Sequence, residues 1–307
     1  MGAREEVLVV PRGALFAGNE WVATIRTRTL WGILSTSGVT VGVVNWPLTY
    51  PASAVRGYLV SDRFSQRATT FAGLDDTALV YPPELGGELL PILQSTDDGS
   101  SAAAPAVVGA RIPDRHQQPG RTDRVYDRLS RSLAVSRPAQ VTITRYQSLD
   151  PIGHYFLRYA VPSRFGDVTD EERRQFGSVL ENHYGLIDEA IGRAIASLGP
   201  DDLLLVVSAY GMEPLGFGKR ILEKVIGDSE LSGTHEAAPD GFLMAYGAQV
   251  AKGRALRRAS VVDVAPTVLY FLGLPIGRDM DGYARAELFQ PSFTAERPIT
   301  FIPTYER

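Results

Sequence analysis

The chain has 307 residues, of which 44% are hydrophobic and 21% are charged, a composition typical of a soluble globular protein. The formal net charge of −4, without a long basic run, argues against a nucleic acid polymer as partner. No apolar stretch is long enough for a membrane span, and no secretory signal is recognisable, so the default expectation is a cytoplasmic location. The sequence has no cysteine and four histidines, so a metal site would have to use His, Asp or Glu.

The amino-terminal part alternates between helix and strand patterns. Residues 7–10 are a candidate short strand. Residues 29–34 carry apolar side chains at helical spacing, and Gly38 follows as a stop signal. Residues 39–46 are a nearly continuous apolar run, typical of a strand that is buried on both faces of a parallel sheet. Helix, glycine and buried strand in this order indicate a doubly wound α/β fold.

Residues 62–120 have a weaker pattern. Paired prolines, paired glycines and a run of small and polar residues at 97–105 predict a less regular excursion from the main sheet. His116 lies in a polar part of this region, and we expect it on the surface. The rest of the chain shows no boundary, so we expect residues 1–307 to form a single domain.

A strand followed by an acidic residue and a histidine is the clearest candidate site. Residues 141–146 are rich in β-branched side chains and predict a strand. Asp150 comes just beyond its carboxyl end, the edge at which open α/β sheets bind ligands. If Pro151 opens a helical turn, Asp150 and His154 face the same way and could hold a divalent metal ion. The alternative is that Asp150 is only a helix N-cap and His154 an ordinary polar residue.

A long helix is predicted next. Thr169 and Glu172 have the spacing of a capping box, and one apolar stripe continues over residues 170–198. His183 lies on this helix, where we expect a structural role rather than metal binding.

The last part of the chain alternates again between strand and helix patterns. Residues 203–207 and 242–246 predict two further buried strands of the parallel type. His235 lies in a loop before the second of them. Residues 261–272 predict an apolar helix, and residues 299–302 predict a short strand.

Short motifs spread over nearly the whole chain share a pattern with one known family. They are LWGIL from residue 30, VGVVNWP from 41, DPIGH from 150, VSAYGM from 207, SGTH from 232, SVVDVAPTVLY from 260, GLP from 273, DMDG from 279 and TFIP from 300. In this order they resemble the type I phosphodiesterase and nucleotide pyrophosphatase group of the alkaline phosphatase superfamily. The resemblance implies an α/β fold in which helices flank a mostly parallel sheet.

The resemblance also implies a metal site. Members of this group hydrolyse phosphate esters with two metal ions, usually zinc. One ion is held by an Asp and a His spaced as Asp150 and His154 are, and by a His in a loop like that of His235. Asp150, His154 and His235 are therefore the expected ligands of one zinc ion, and an Asp/His2 set leaves a position open for water or a phosphoryl oxygen.

Other parts of the family pattern have no counterpart. Where the family has Ser-Asp-His-Gly, with the Asp and His binding the second ion, this chain has Ala209 and Tyr210. A methyl group cannot bind a cation, and a phenol is a poor substitute for imidazole at neutral pH. The family's first strand, which ends in a metal-binding Asp and a Thr or Ser nucleophile, is expected to precede this chain. We therefore predict no catalytic residue, one zinc site without the second, and a sheet incomplete at the amino terminus, which either a partner chain or the absent segment itself would complete.

These observations leave several functions open. The first is a metal-dependent phosphohydrolase with weak or no activity, whose ligand is a phosphorylated small molecule. The alternative is a non-catalytic pseudo-enzyme that binds a phosphorylated ligand or a protein partner, and a third is a structural remnant without metal. Within the first, Tyr210 either donates a hydrogen bond to a leaving oxygen or fills the volume of the second ion and its ligands.

Overall fold

The computed structural model describes residues 27–65, 78–95, 120–226, 229–256 and 258–306. They group into two compact units. Unit 1 comprises the described residues of 1–95, 128–145 and 303–307, and unit 2 those of 96–127 and 146–302. The strand predicted at residues 7–10 and the residue His116 lie outside the described residues. So does the amino-terminal part at which we expect the sheet to be incomplete. The single domain and the partner chain stay predictions.

Unit 1 is built on a four-stranded mixed sheet in the order β3-β2-β1-β4. The strands are β1 Val41–Trp46, β2 Gly57–Ser61, β3 Val80–Tyr81 and β4 Val141–Thr144. β1 pairs in parallel with β2 on one side and with β4 on the other, whereas β3 is antiparallel to β2. The apolar run of β1 is buried from Val41 to Asn45, as expected for a strand inside a parallel sheet.

Helices complete unit 1. They are α1 Leu30–Thr36, α2 Leu85–Ser95 and the part of α3 (Arg121–Ser136) from Arg128 onward. The α1 helix begins at Leu30, one residue after the predicted start, because the hydroxyl of Thr29 caps it by accepting a hydrogen bond from the backbone N–H of Gly32. Gly38 follows the helix in the left-handed conformation, with a φ of +86°. Both α2 and β3 fall within the region predicted as an excursion.

The helices of the central part of unit 2 pack around one apolar cluster. They are α4 Leu149–Ala160, α5 Asp170–Phe176 and α6 Val179–Ser197. Their buried side chains are Ile152, Tyr155, Phe156, Tyr159, Phe176 and Val179. The capping box of Thr169 and Glu172 is confirmed. The single helix predicted over residues 170–198 is wrong: α5 ends at Phe176 with Gly177 as its C-cap, and α6 begins at Val179, since glycine is a weak helix former.

The strands of unit 2 differ from the prediction in their pairing. They are β5 Leu204–Tyr210, β6 Glu213–Pro214, β7 Gly233–Thr234, β8 Asp240–Tyr246, β9 Ile276–Gly277 and β10 Phe301–Ile302. β5 and β8 were expected as buried parallel strands, but they pair with each other in antiparallel and are only partly buried. An apolar run indicates a strand, but it does not encode the pairing direction. That direction depends on the path that residues 211–239 take between the two strands.

The remaining helices of unit 2 are α7 Phe217–Ile226, α8 Val264–Phe271 and α9 Pro291–Glu296. The aromatic side chains of α8 and α9 form a second cluster, against which Leu203, Leu243 and Ala245 pack. A mixed sheet with parallel strands, and strands that alternate with helices along the chain, confirm the predicted α/β class. In the described part of the chain, none of the helices has the length and apolar character that crossing a bilayer requires.

Candidate metal centre

The first turn of α4 carries Asp150, and the next turn carries His154. Ser148 is the residue at the N-cap, so the alternative reading of Asp150 as the cap is wrong. The helix begins at Leu149, two residues before Pro151. Residues four apart on a helix lie on one face, and His154 Nε2 is 3.6 Å from Asp150 Oδ1.

His235 joins these two residues from the segment that follows β7. Its Nε2 atom is 2.8 Å from Asp150 Oδ1, and the rings of His154 and His235 meet edge to face with centroids 4.9 Å apart. One ligand atom from each of the three residues lies within 4.8 Å of the others. Among the residues that the structure describes, this is the one group of three such side chains close enough to share an ion. Asp150 is exposed and both histidines are partly so, which leaves the group accessible.

Backbone carbonyls orient both imidazole rings. His154 Nδ1 donates to the carbonyl oxygen of Gly233 at 2.8 Å, and His235 Nδ1 donates to that of Gly211 at 2.6 Å. A carbonyl oxygen can only accept, so each Nδ1 carries a proton, and in the neutral form of each ring the lone pair is on Nε2. Both Nε2 atoms face Asp150 Oδ1, which is itself an acceptor. Three electron pairs that converge in this way fit a divalent cation, and the outer carbonyls are the usual partners of metal-binding histidines.

Two glycines leave room for the sulfur of Met212 and for the approach of β7 to α4. A Cβ atom on Gly153 would clash with the sulfur of Met212, and one on Gly233 would lie 2.5 Å from that sulfur and 2.6 Å from the carbonyl oxygen of Gly153. Ser232 ties the same segments together, since its backbone N–H and its hydroxyl both donate to the carbonyl oxygen of His154, at 2.7 and 2.9 Å. This contact sets the positions of both histidines.

Ala209 and Tyr210 occupy the end of β5, next to the three donors. The ring of Tyr210 packs on the ring of His235, with centroids 4.5 Å apart, and 57% of the Tyr210 side chain is exposed. The side chain of Ala209 has no ligand atom. At these two positions the chain therefore offers a phenol oxygen as its only metal donor.

His183, by contrast, lies apart from the donor set. It is 4% exposed, and its Nε2 atom donates to Asp123 Oδ2 at 3.0 Å. This agrees with the expected structural role. Sequence reasoning did not identify Asp123 or the carbonyls of Gly211 and Gly233, because no spacing or residue type indicates them.

The comparison with protein families agrees with the motif pattern. The sequence model described as type I phosphodiesterase / nucleotide pyrophosphatase matches residues 4–264, which is most of the chain. Comparison with curated proteins and with solved structures gave no match. The family match and the mixed sheet together establish the alkaline-phosphatase-like α/β fold. The chain belongs to the type I phosphodiesterase / nucleotide pyrophosphatase family.

Proposed function

We propose that this chain has a metal-dependent phosphohydrolase fold with one zinc ion bound by Asp150, His154 and His235, and that its turnover is weak or absent. The observation that carries the metal site is the orientation of the two histidines. Their Nδ1 protons are engaged by backbone carbonyls, so their Nε2 lone pairs both face the Asp150 carboxylate. Without a cation or an added proton, these atoms would repel one another.

Zinc fits this donor set better than magnesium or calcium. Two imidazole nitrogens and one carboxylate oxygen are a common zinc set, whereas magnesium and calcium prefer oxygen ligands only. One carboxylate with two neutral imidazoles would leave a net positive charge on the zinc centre, which favours a phosphate ester as ligand. The exposure of Asp150 leaves room for a phosphorylated small molecule.

The residues of the site have separate tasks in this proposal. A bound zinc ion would polarise a phosphoryl oxygen and stabilise the charge that develops on it. Asp150 supplies the anionic ligand, and His154 and His235 supply neutral ones. Gly211 and Gly233 hold both rings in the required tautomer, while Ser232 fixes the backbone at His154.

Low turnover is proposed from the end of β5. Two-metal phosphoryl transfer stabilises both the attacking and the leaving oxygen. Here the second ion would find Ala209 and Tyr210 in place of a carboxylate and an imidazole. The loss of one cation would remove several kcal/mol of transition-state stabilisation, and each 1.36 kcal/mol is about a tenfold loss in rate.

The second candidate function is a pseudo-enzyme that binds a phosphorylated ligand without hydrolysing it. The tilted packing of the Tyr210 ring against His235 favours it, because the exposed phenol lies beside the donors, where a bound ligand would contact it. The same position would allow Tyr210 to donate a hydrogen bond to a leaving oxygen in a one-metal hydrolase. An unchanged rate or affinity in Tyr210→Phe would leave the residue with a packing role alone.

Metal analysis of the purified protein tests the site directly. We expect about one zinc ion per chain, and loss of this ion in Asp150→Ala, His154→Ala and His235→Ala. Glu236→Gln is the matched control, because Glu236 is an exposed acid next to His235 that pairs with Lys219 and is not among the three donors. Metal-free wild-type protein, or three variants that keep their zinc, would refute the site.

A hydrolysis assay separates the two candidate functions. With a chromogenic phosphodiester and added zinc, we expect a rate close to the background. Zinc-dependent turnover that disappears in Asp150→Ala would contradict the proposed low activity, although it would support the site. Saturable binding of a nucleoside monophosphate without product would favour the pseudo-enzyme.

A further inference from the structure

We propose that Asp123 is a positioning residue for the metal centre: its buried carboxylate fixes the start of α4 and so holds Asp150 and His154 in register with His235. The effect on zinc rests on the proposed function, but the effect on α4 does not. Asp123 lies in the first turn of α3 and is 0% exposed. Asp123 is far in sequence from α4, and it touches none of the three metal donors in the contacts described.

The carboxylate of Asp123 accepts three hydrogen bonds. Its Oδ1 atom accepts from the backbone N–H of Gln147 at 2.8 Å, and its Oδ2 atom accepts from that of Ser148 at 2.9 Å. His183 Nε2 donates to Oδ2 at 3.0 Å. Two of the three bonds therefore hold the backbone of the two residues that come directly before α4.

The start of α4 depends on this external support. Ser148 is the N-cap residue, but its side chain makes no capping hydrogen bond. The usual device that fixes the first turn of a helix is therefore missing here. Asp150 follows Ser148 by two residues and has one turn of helix between itself and His154. A rotation or shift of residues 147–148 would move both ligands relative to His235.

His183 and Gly120 keep the carboxylate in place from the other side. His183 projects from α6 and is 4% exposed. A Cβ atom on Gly120 would lie 2.7 Å from His183 Nδ1, so the ring fits tightly against the backbone that leads into α3. With an imidazole behind it and two backbone donors in front, the Asp123 carboxylate has little freedom to move.

Asp263 provides a matched comparison within the same unit. It is 2% exposed, and it accepts hydrogen bonds from the backbone N–H groups of Ser260 and Tyr283, both at 2.8 Å, and from the guanidinium of Arg285. Its chemistry therefore resembles that of Asp123, but its partners are neither ligands nor next to ligands. Loss of Asp263 should destabilise the fold without moving the metal donors.

The test compares Asp123→Asn with Asp263→Asn in the full chain. Zinc affinity is measured by competition with a chromophoric chelator, and amide hydrogen exchange of residues 147–152 is measured in the zinc-free protein. We expect Asp123→Asn to weaken zinc binding by about tenfold, the low end of the loss seen when a group bonded to a metal ligand is removed, because Asp123 bonds to the backbone before α4 rather than to a ligand. It should also accelerate exchange at Gln147 and Ser148. Asp263→Asn should lower the Tm and leave both measurements unchanged.

Equal zinc affinity in the two variants, or unchanged exchange at 147–152 in Asp123→Asn, would overturn the proposal. If the wild-type protein binds no zinc, the proposed function fails, and the exchange measurement alone decides on Asp123. If Asp123→Asn does not fold, His183→Leu replaces it, because leucine cannot donate a hydrogen bond, so that the carboxylate stays and loses only one of its three partners. A smaller loss of zinc affinity in the same direction is then expected, and no loss would overturn the proposal.

Discussion

The substitution Gly233→Ala should separate the two histidine-bearing segments. A Cβ atom at this position would lie 2.6 Å from the carbonyl oxygen of Gly153, whereas ordinary contact begins at 3.4 Å. The sulfur of Met212, at 2.5 Å, is closer still but belongs to a flexible side chain, whereas the Gly153 carbonyl is backbone, so β7 must move away from α4 by about 0.8 Å to relieve that contact. His235 lies two residues further along and would be displaced from Asp150 by a similar amount.

The expected effect follows from this displacement. Overpacking in a buried contact costs about 1–3 kcal/mol, and the lower flexibility of alanine in the unfolded chain returns about 0.4–1 kcal/mol. We therefore expect a net loss of about 1–2 kcal/mol in the free energy of unfolding. A metal site tolerates only about 0.5 Å of displacement, so zinc affinity should fall by at least about tenfold.

Urea unfolding and zinc competition titrations measure the two effects. Gly192→Ala is the control, because Gly192 lies on an exposed part of α6 with nothing within 4 Å of its Cβ position. It should stabilise the protein by about 0.5–1 kcal/mol and leave zinc affinity unchanged. Wild-type zinc affinity in Gly233→Ala would refute the account of how the histidines are placed.

Three further predictions concern charge and metal. Burial raises the pKa of Asp263, but hydrogen bonds from Tyr283, Ser260 and Arg285 outweigh it and lower the pKa below its ordinary value. The stabilisation is therefore present above about pH 4 and disappears as pH falls through the depressed pKa, so urea unfolding of Asp263→Asn should approach wild type only in acid. The double variant Ala209→Asp/Tyr210→His should bind a second zinc ion more weakly than the first in metal titrations, and a single-ion stoichiometry would contradict this. A chelator should lower the Tm of wild-type protein but not that of a variant without the site, since binding to the folded state alone stabilises it.

Local patterns predicted much of the fold. The helix predicted near residues 29–34, the buried run of β1 and the capping box at Thr169 are encoded within a few neighbouring residues, and the structure has all three. The pairing of β5 with β8 was not predictable, because it depends on the path of the chain between the two strands. The break at Gly177 was hidden by an apolar stripe that continues across it.

The candidate site was predictable only in part. Helical spacing brings Asp150 and His154 together, and the sequence shows that spacing directly. His235 is 85 residues from Asp150, so only the family resemblance indicated it. The groups that position the three donors, such as Asp123 and the Gly211 carbonyl, could not be predicted. A backbone acceptor carries no sequence signal, and a contact between residues far apart in the sequence has no characteristic spacing.

Diffraction data collected at the zinc absorption edge from zinc-loaded crystals test the central claim most directly. The account predicts one anomalous peak about 2.0–2.2 Å from Asp150 Oδ1, His154 Nε2 and His235 Nε2, and no peak beside Ala209 and Tyr210. An ion bound beside Ala209, or no ion among the three donors, would contradict it.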